Sequence, residues 1–343
     1  MKQLKINSGA DAPLARFESG VAVSRGLMYV FGGHLEPELS ATVAMYVYDP
    51  VADLWSRCAD APHAISHVTA AVVDDRYIWF AGGFVGQHPG KGTRMSYRYD
   101  TVRDTWEDGA PLPKVRASGG LVYRDRLLHY FGGLGGDRRT NFDDHWILDP
   151  NRPEKWERLA PIPKARTHAG ATVLNGGIYA IGGHYGHDLP PDQVKERHLP
   201  DLDFVHRYDF DADKWVDVAP LPMRRSHCEP GTFVHEGRIY CVGGRNNSPG
   251  ALPSHQRFSP TAQCRRVWHK LRRKFFATSA GNGLSDIICF DPTKDRWTTV
   301  GSLPMDLYAP AAAMINGEII VTNGGRAGWA DPSDRTMRLV FDS

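Results

Sequence analysis

An apolar run that ends in two glycines recurs along this chain of 343 residues, and it limits the possible folds more than any other feature. The copies are Met28-Tyr29-Val30-Phe31-Gly32-Gly33, Ile78-Trp79-Phe80-Ala81-Gly82-Gly83, Leu128-His129-Tyr130-Phe131-Gly132-Gly133 and Ile178-Tyr179-Ala180-Ile181-Gly182-Gly183. Ile239-Tyr240-Cys241-Val242-Gly243-Gly244 and Ile319-Ile320-Val321-Thr322-Asn323-Gly324-Gly325 follow. The first four stand 50 residues apart, and the last two gaps are 61 and 81. A small-residue run and a polar turn precede each copy, as in Ala169-Gly170-Ala171-Thr172-Val173 and Asn175-Gly176-Gly177. A third run ends in Asp at Tyr48-Asp49, Tyr99-Asp100, Leu148-Asp149, Tyr208-Asp209, Phe290-Asp291 and Phe341-Asp342. A fourth opens on Trp55, Trp106, Trp156, Trp215 or Trp297. Short strands at even spacing, punctuated by Gly, Pro and Asp turns, signal an all-β chain. Four strands in a period near 50 mean propeller blades.

Each repeated residue has a structural reason. The glycine pair lets the chain turn where φ is positive or a Cβ would clash. The aromatics are large enough to fill the wedge between neighbouring sheets. The Asp is expected to accept hydrogen bonds from the tight turn that follows it. The ordered set covers nearly the whole chain and resembles the kelch-repeat β-propeller family, in the superfamily of galactose oxidase. The resemblance implies a six-bladed all-β propeller with four antiparallel strands per blade. The last repeat stops at Leu339-Val340-Phe341-Asp342 without a Trp strand, and Leu4 or Ile6 takes the place of that Trp. The N-terminal strand is therefore expected to close the last blade and leave no exposed edge at the seam. The reading is one domain over 1–343, with blades at 14–62, 63–113, 114–163, 164–222, 223–304 and 305–343 plus 1–13.

Composition narrows the function classes. The formal net charge is +2, which gives no global preference for nucleic acid. A segment at about 246–285 carries seven Lys and Arg and no acid, so +2 less seven leaves −5 for the rest. The five cysteines (Cys58, Cys228, Cys241, Cys264, Cys289) are scattered without a CxxC, which favours reduced thiols and a cytoplasmic setting. No apolar run reaches membrane-spanning length, and the first residues lack the apolar core of a signal peptide. A monomer is expected.

Two loops are long. Blade 4 inserts 185–203 and blade 5 inserts 246–285, both after the second strand, so both should rise over one face of the disc. Within the second, Val267, Trp268, Leu271, Phe275 and Phe276 share a helical face opposite basic residues. Such a helix suits an anionic surface, or packing on the propeller rim.

Two sets of repeat positions carry chemistry. The first is Glu18, His67, Ser118, His168, His227 and Ala309, each two residues after an Arg-type position. The second follows each glycine pair and reads His34, Phe84, Leu134, His184, Arg245 and Arg326. Both should crowd the mouth of the central channel. His168, His184, His187, His206, His227 and Asp188 are the candidate ligands for Zn, Fe, Mn or Cu, because imidazole and carboxylate at one opening suit these ions. Without a metal, His168 and His227 are candidates for general acid and base. Arg16, Arg116, Arg166 and Arg225 recur at one position and are expected to ion-pair with a neighbouring blade.

The resemblance adds functional expectations. Gly243-Gly244-Arg245-Asn246-Asn247 is similar to the peptide-binding face of kelch domains in ubiquitin-ligase adaptors, where Arg and Asn grip acidic peptides. That implies Arg245 and Asn247 as ligand contacts, and Arg326, His34 and His67 join them by position. Nitrile-specifier kelch proteins bind iron through Glu-x3-Asp-x3-His, whereas Glu196, Asp201 and His206 stand one residue further apart at each step. Sialic-acid mutarotases are also kelch propellers. The expected function is recognition of an acidic protein partner or a small polar or anionic ligand over the channel mouth. The alternative is a metal-dependent enzyme or a sugar mutarotase or epimerase at the same histidines.

Overall fold

The computed structural model describes residues 4–185, 201–246, 283–326 and 331–341. They form six four-stranded antiparallel sheets in which sequence order is spatial order, except that the sixth takes its outer strand from the N-terminus. The first sheet is Gly20–Ser24, Leu27–Phe31, Met45–Asp49 and Leu54–Arg57, from inner to outer strand. The sixth is Ala311–Ile315, Glu318–Thr322, Thr336–Phe341 and Leu4–Ser8. Leu4 pairs with Phe341 as Trp55 pairs with Tyr48, so Leu4 is the residue that stands for the missing Trp. The inner strand of each sheet touches those of the sheets before and after it, and the sixth touches the first. The sheets therefore form a closed ring of propeller blades.

The strand chemistry follows the distance from the axis. The inner strands of the first, second and fourth sheets are built mainly of Gly, Ala, Val and Thr, where neighbouring sheets crowd together. Second strands such as Gly177–Ile181 are buried throughout and are large and apolar. Between sheets the aromatics fill the widening wedge: Phe31 meets Phe80 at 4.6 Å and Trp106 at 5.0 Å between ring centroids. Burial of this kind is worth about 1.5–3 kcal/mol for each large side chain.

The repeated Trp and Asp also stitch sheets together. Trp55, Trp106, Trp156, Trp215 and Trp297 donate their indole N–H to Ala10, Ala59, Ala110, Ala160 and Ala219 carbonyls beyond the outer strand of the preceding sheet, at 2.9–3.1 Å. The strand-ending Asp accepts from the following turn, as expected: Asp49 takes Val51 N–H at 2.8 Å and Asp100 takes Val102 N–H at 2.9 Å.

The glycine pairs close the ring from the backbone. The second glycine of each pair donates its N–H to the Arg-type position of the next sheet. Gly33 reaches Ile65, Gly83 reaches Arg116, Gly133 reaches Arg166, Gly183 reaches Arg225 and Gly244 reaches Leu307 at 2.8–2.9 Å. At the seam Gly324 donates to Arg16 at 2.8 Å. A Cβ on Gly183, at φ +97°, would lie 2.7 Å from the Thr167 carbonyl, so the close approach requires glycine. This corrects the sixth repeat. Its pair is Asn323-Gly324, at φ +55° and +87°, and Asn323 adopts the left-handed backbone that Asn tolerates. Its side chain donates to the Leu14 and Ser333 carbonyls at 2.9 and 3.1 Å. Gly325, not Arg326, is then the equivalent of His34 and His184.

The repeat arginines differ from expectation too. Each guanidinium bonds into its own sheet, and only the backbone carbonyl links to the neighbour. Arg116 pairs with Asp144, and Arg225 with Asp286. Arg16 reaches Gly32 and Ala44 carbonyls at 3.1 and 2.9 Å, and Arg166 the Ala180 carbonyl at 3.0 Å. The side chain points radially outward along its own blade, which puts the adjacent blade out of reach. Burial lowers Arg16 and Arg166 to a pKa of about 10.

Cys228, Cys241 and Cys289 are buried free thiols, and Cys58 is half-buried and free. No helix among the described residues is long and apolar enough to cross a membrane. The basic segment expected at 264–276, and with it Cys264, lies outside the described residues.

Candidate functional site

The six residues Glu18, His67, Ser118, His168, His227 and Ala309 form a ring at the head of the inner strands. All have positive φ, between 46° and 58°, which is uncommon for non-glycine residues. In four of the six the N–H meets the carbonyl of the preceding ring residue. His67 donates to Glu18, Ser118 to His67, His168 to Ser118 and His227 to His168, at 2.9–3.0 Å. Strain retained in this way by surrounding structure is typical of functional sites.

The next layer comes from the residues after the glycine pairs. Isolated bridges join His34 to Phe17, Leu134 to Ala117, His184 to Thr167, Arg245 to Ser226 and Gly325 to Tyr308. Each is bridged to the residue just before a ring position. The two expected sets of residues are therefore adjacent layers at one end of the channel.

Glu18 is the centre of the ring. It is 3% exposed, and Tyr308 donates its hydroxyl to Oε1 at 2.6 Å. Three imidazoles turn Nε2 toward the same carboxylate: His227 at 3.4 Å, His168 at 3.5 Å and His67 at 4.0 Å. The rings of His168 and His227 stack at 4.0 Å, and His184 lies 4.9 and 5.0 Å from them. His67 meets His168 edge to face at 5.3 Å. Burial, followed by the charge of Glu18, pushes the Tyr308 phenol well above its ordinary range, so it stays a donor.

The opposite edge of each imidazole is also engaged. His67 Nδ1 lies 3.0 Å from Ser66 Oγ and His227 Nδ1 2.8 Å from Ser226 Oγ. His168 Nδ1 meets Thr167 Oγ1 at 3.2 Å and His184 Nε2 at 3.1 Å. Ser226 donates to Asp201 at 2.5 Å, and Arg245 meets the same oxygen at 3.2 Å. Burial opposes the charge on Arg245, but Asp201, Tyr308 and Glu18 together raise its pKa. Glu229, in a short turn inserted before the fifth inner strand, keeps partial exposure while its Oε2 is buried. Burial and then Glu18 raise its carboxyl well above the ordinary range.

His34 lies on the side of the first two sheets, 2% exposed, with ring centroids 5.4 Å from His67 and 6.2 Å from His88. Neither ring nitrogen has a partner in hydrogen-bond geometry among the described residues. Burial lowers its pKa to about 4, against upward pulls from Glu18 and from the backbone of Leu39, which lies near the ring outside good hydrogen-bond geometry, so the imidazole is neutral near pH 7.

Of the residues singled out from the sequence, His34, His67, His168, His184, His227 and Arg245 therefore come together. Ligand atoms within 4.8 Å of one another form the sets His168/His184/His227 and Glu18/His67/His168, which could hold a metal ion. His206 stands apart on the third strand of the fourth sheet, with its Nε2 3.1 Å from Asp217 and its pKa lowered to about 4 by burial. Arg326 is half-exposed and pairs with Asp331 at 3.1 Å. His187, Asp188 and Asn247 lie outside the described residues. Sequence reasoning placed Glu18 in this ring without naming it as a ligand or catalytic group, and gave no role to Tyr308 or the hydroxyls behind the histidines. One signal was present: every ring histidine follows Ser or Thr, in Ser66-His67, Thr167-His168 and Ser226-His227. The ring positions without histidine follow Phe17, Ala117 and Tyr308.

Residues 15–62 and 165–222 match the Kelch motif. The chain is 24% identical over 338 residues to a kelch repeat-containing protein of Arabidopsis thaliana, covering 94% of this chain and 72% of that one. It is 25% identical over 306 residues to human Kelch-like protein 23, covering 82% and 49%. It is 24% identical over 286 residues to a Kelch repeat and BTB domain-containing protein 1 of camelpox virus, covering 82% and 42%. The chain thus spans about half the length or less of the last two. Its fold is similar to the structure of YjhT, with a TM-score of 0.71 at 14% identity over 97% of both chains.

Proposed function

We propose, from the premise that this chain is a kelch-repeat protein, that it is a binding propeller whose recognition surface is the loop face over the channel mouth. The ligand is a small polar or anionic molecule, or an acidic side chain presented by a protein partner. One observation carries this reading. His34 is buried and neutral, and its two ring nitrogens have no partner in hydrogen-bond geometry among the described residues, beside His67 and His88. A buried polar group in that condition costs about 1–3 kcal/mol unless something else meets it. Arg245, paired with Asp201, lies in the same layer; the half-exposed Arg326, paired with Asp331, stands one residue beyond it, and Asn247 is two residues after Arg245 in the chain.

A second reading, a sugar mutarotase or epimerase, is favoured by the contact of Glu18 with the Tyr308 phenol and the His227 imidazole. Base and acid lie side by side there in a buried site. One experiment addresses both. Thermal shift and intrinsic fluorescence would be recorded with monosaccharides, sugar acids and dicarboxylates, on the wild type, His34→Phe and Arg326→Ala. Binding is expected from an anionic class, weakened at least tenfold in His34→Phe and less in Arg326→Ala. Equal affinity in His34→Phe would overturn the assignment of the face. Polarimetry on the same sugars decides the second reading: no acceleration of mutarotation by the wild type removes it.

A further inference from the structure

Five of the six seams between neighbouring sheets are closed toward the rim by an indole, and the seam between the fifth and sixth sheets is not. In the second to fifth sheets the Trp donates to the carbonyl of Ala59, Ala110, Ala160 or Ala219, each four residues after the Trp of the sheet before. The fifth sheet is Thr232–His235, Arg238–Val242, Leu284–Asp291 and Arg296–Leu307, and the same count from its Trp297 reaches Gly301. The residue facing Gly301 from the sixth sheet is Leu4, which has no side-chain N–H to give. A Cβ on Gly301 would lie 2.9 Å from Leu4 Cδ2.

Leucine fills less of the wedge than an indole does, and a cavity of about 250 Å³ remains there. Tyr240, Cys289 and Val300 form its wall. All three belong to the apolar cluster that the fifth sheet shares with Leu4, Leu339 and Phe341 of the sixth. In the first seam Tyr29 and Val47, paired across strands as Tyr240 and Cys289 are, pack in one cluster with Trp106. The cavity therefore lies where the other seams hold their indole. Tyr240 is 6% exposed, stacks on Phe233 at 5.6 Å and meets Phe341 at 6.0 Å between ring centroids, so the aromatic wall is fixed from both sides.

The edge of the cavity is charged. Arg238, Lys294 and Arg296 stand around Asp291, so three cations less one carboxylate leave +2 beside the aromatic wall. Arg238 opens the second strand of its sheet, where the other five sheets have Leu27, Tyr77, Leu127, Gly177 and Glu318. Arg238 and Lys294 share Asp291 at 3.5 and 3.6 Å from exposed positions, and such pairs are worth little and exchange readily. Arg296 forms no ion pair with a described residue. We propose that this seam binds a small planar aromatic carboxylate, its ring against Tyr240 in the place of the missing indole and its carboxylate held by Arg238 and Arg296. Aromatic packing selects the ring, and charge-assisted guanidinium bonds select the anion. The cavity is smaller than the roughly 300–1,000 Å³ of pockets for drug-sized ligands, which limits the ligand to one or two fused rings. Arg238 lies at the opposite end of its strand from Gly244 and Arg245, so this site is separate from the channel mouth and from whatever that face recognises.

The test is calorimetric titration of the full chain with indole-3-carboxylate, and with neutral indole and acetate as the two halves of that probe. One equivalent of indole-3-carboxylate is expected to bind, at least tenfold tighter than either half. Leu4→Trp puts an indole into the seam, within reach of the Gly301 carbonyl. It should raise the thermal midpoint and abolish binding. Arg238→Leu, a change to the side chain found at this position in the first and third sheets, should leave the midpoint unchanged. It should weaken binding about tenfold or more, through loss of the charge-assisted bonds. This exposed position keeps the test decisive if Leu4→Trp fails to fold. A wild type that binds no indole-3-carboxylate would overturn the proposal. So would affinity unchanged in Arg238→Leu or in a folded Leu4→Trp, and so would neutral indole bound as tightly as the acid.

Discussion

Replacing Arg116 with methionine should destabilise the fold by about 3–5 kcal/mol, the usual cost of removing one partner of a buried ion pair. Arg116 is 1% exposed and bonds to Asp144, whose side chain is 7% exposed. Its guanidinium lies 3.6 Å from the centroid of Phe142 and 4.9 Å from that of Trp146. Methionine fills much of the same space, so the loss is electrostatic more than steric. Lys114 and Arg158 approach the stranded carboxylate only to 3.9 and 4.0 Å from exposed positions, where such pairs are worth little. Chemical denaturation measures the effect, and Arg116→Met with Asp144→Leu should recover most of it. A single-variant loss below about 1 kcal/mol would contradict the assignment of this pair.

Stability should fall steeply as pH drops from 6.5 to 4. Burial lowers His129 to a pKa of about 3 and His145 to about 4, both from 6.5. The two rings meet at 3.1 Å and are wedged among Phe131, Tyr208, Trp215 and Phe210. His34 and His206 are lowered to about 4 in the same way. The sign follows from proton binding. Below pH 6.5 the unfolded chain takes up protons that the folded chain refuses, so acid favours unfolding. The stabilisation is complete above pH 6.5 and is lost as pH falls through the folded values. A tenfold drop in proton affinity on folding corresponds to about 1.4 kcal/mol, so four buried imidazoles together contribute several kcal/mol. Urea midpoints at pH 7.5 and 4.5 measure it. Equal midpoints would mean that these rings are hydrated or already protonated in the folded state.

The propeller was legible because its determinants are local and repeated. Glycine pairs, strand-ending Asp and Trp each do one backbone or packing task, and each recurs. Errors arose where a residue type substituted for another in the same geometry. Asn323 adopts the positive φ of a glycine, which shifted the sixth repeat by one and gave Arg326 a place that belongs to Gly325. The side-chain direction of the repeat arginines was not legible. Position in the repeat sets where the Cα lies but not whether the guanidinium turns along its own sheet or across to the next.

The site was legible in outline. Repeat spacing alone placed His67, His168 and His227 in one ring with Glu18, and His34, His184 and Arg245 in the layer beside it. Its chemistry was hidden because Glu18 occupies a position filled elsewhere by His, Ser and Ala, and one carboxylate in such a series has no pattern. Tyr308 and Asp201 come from different blades, 290 and 183 residues from Glu18 along the chain, and only ring closure brings Tyr308 to it. The Ser or Thr before each ring histidine was visible, but its contact with the ring Nδ1 required the folded backbone.

Isothermal titration of the full chain with sugar acids and dicarboxylates tests the recognition face most directly. Binding by the wild type is expected, weakened at least tenfold in His34→Phe, because the His34 ring lies buried beside His67 and His88. Equal affinity in His34→Phe would contradict recognition at the channel mouth.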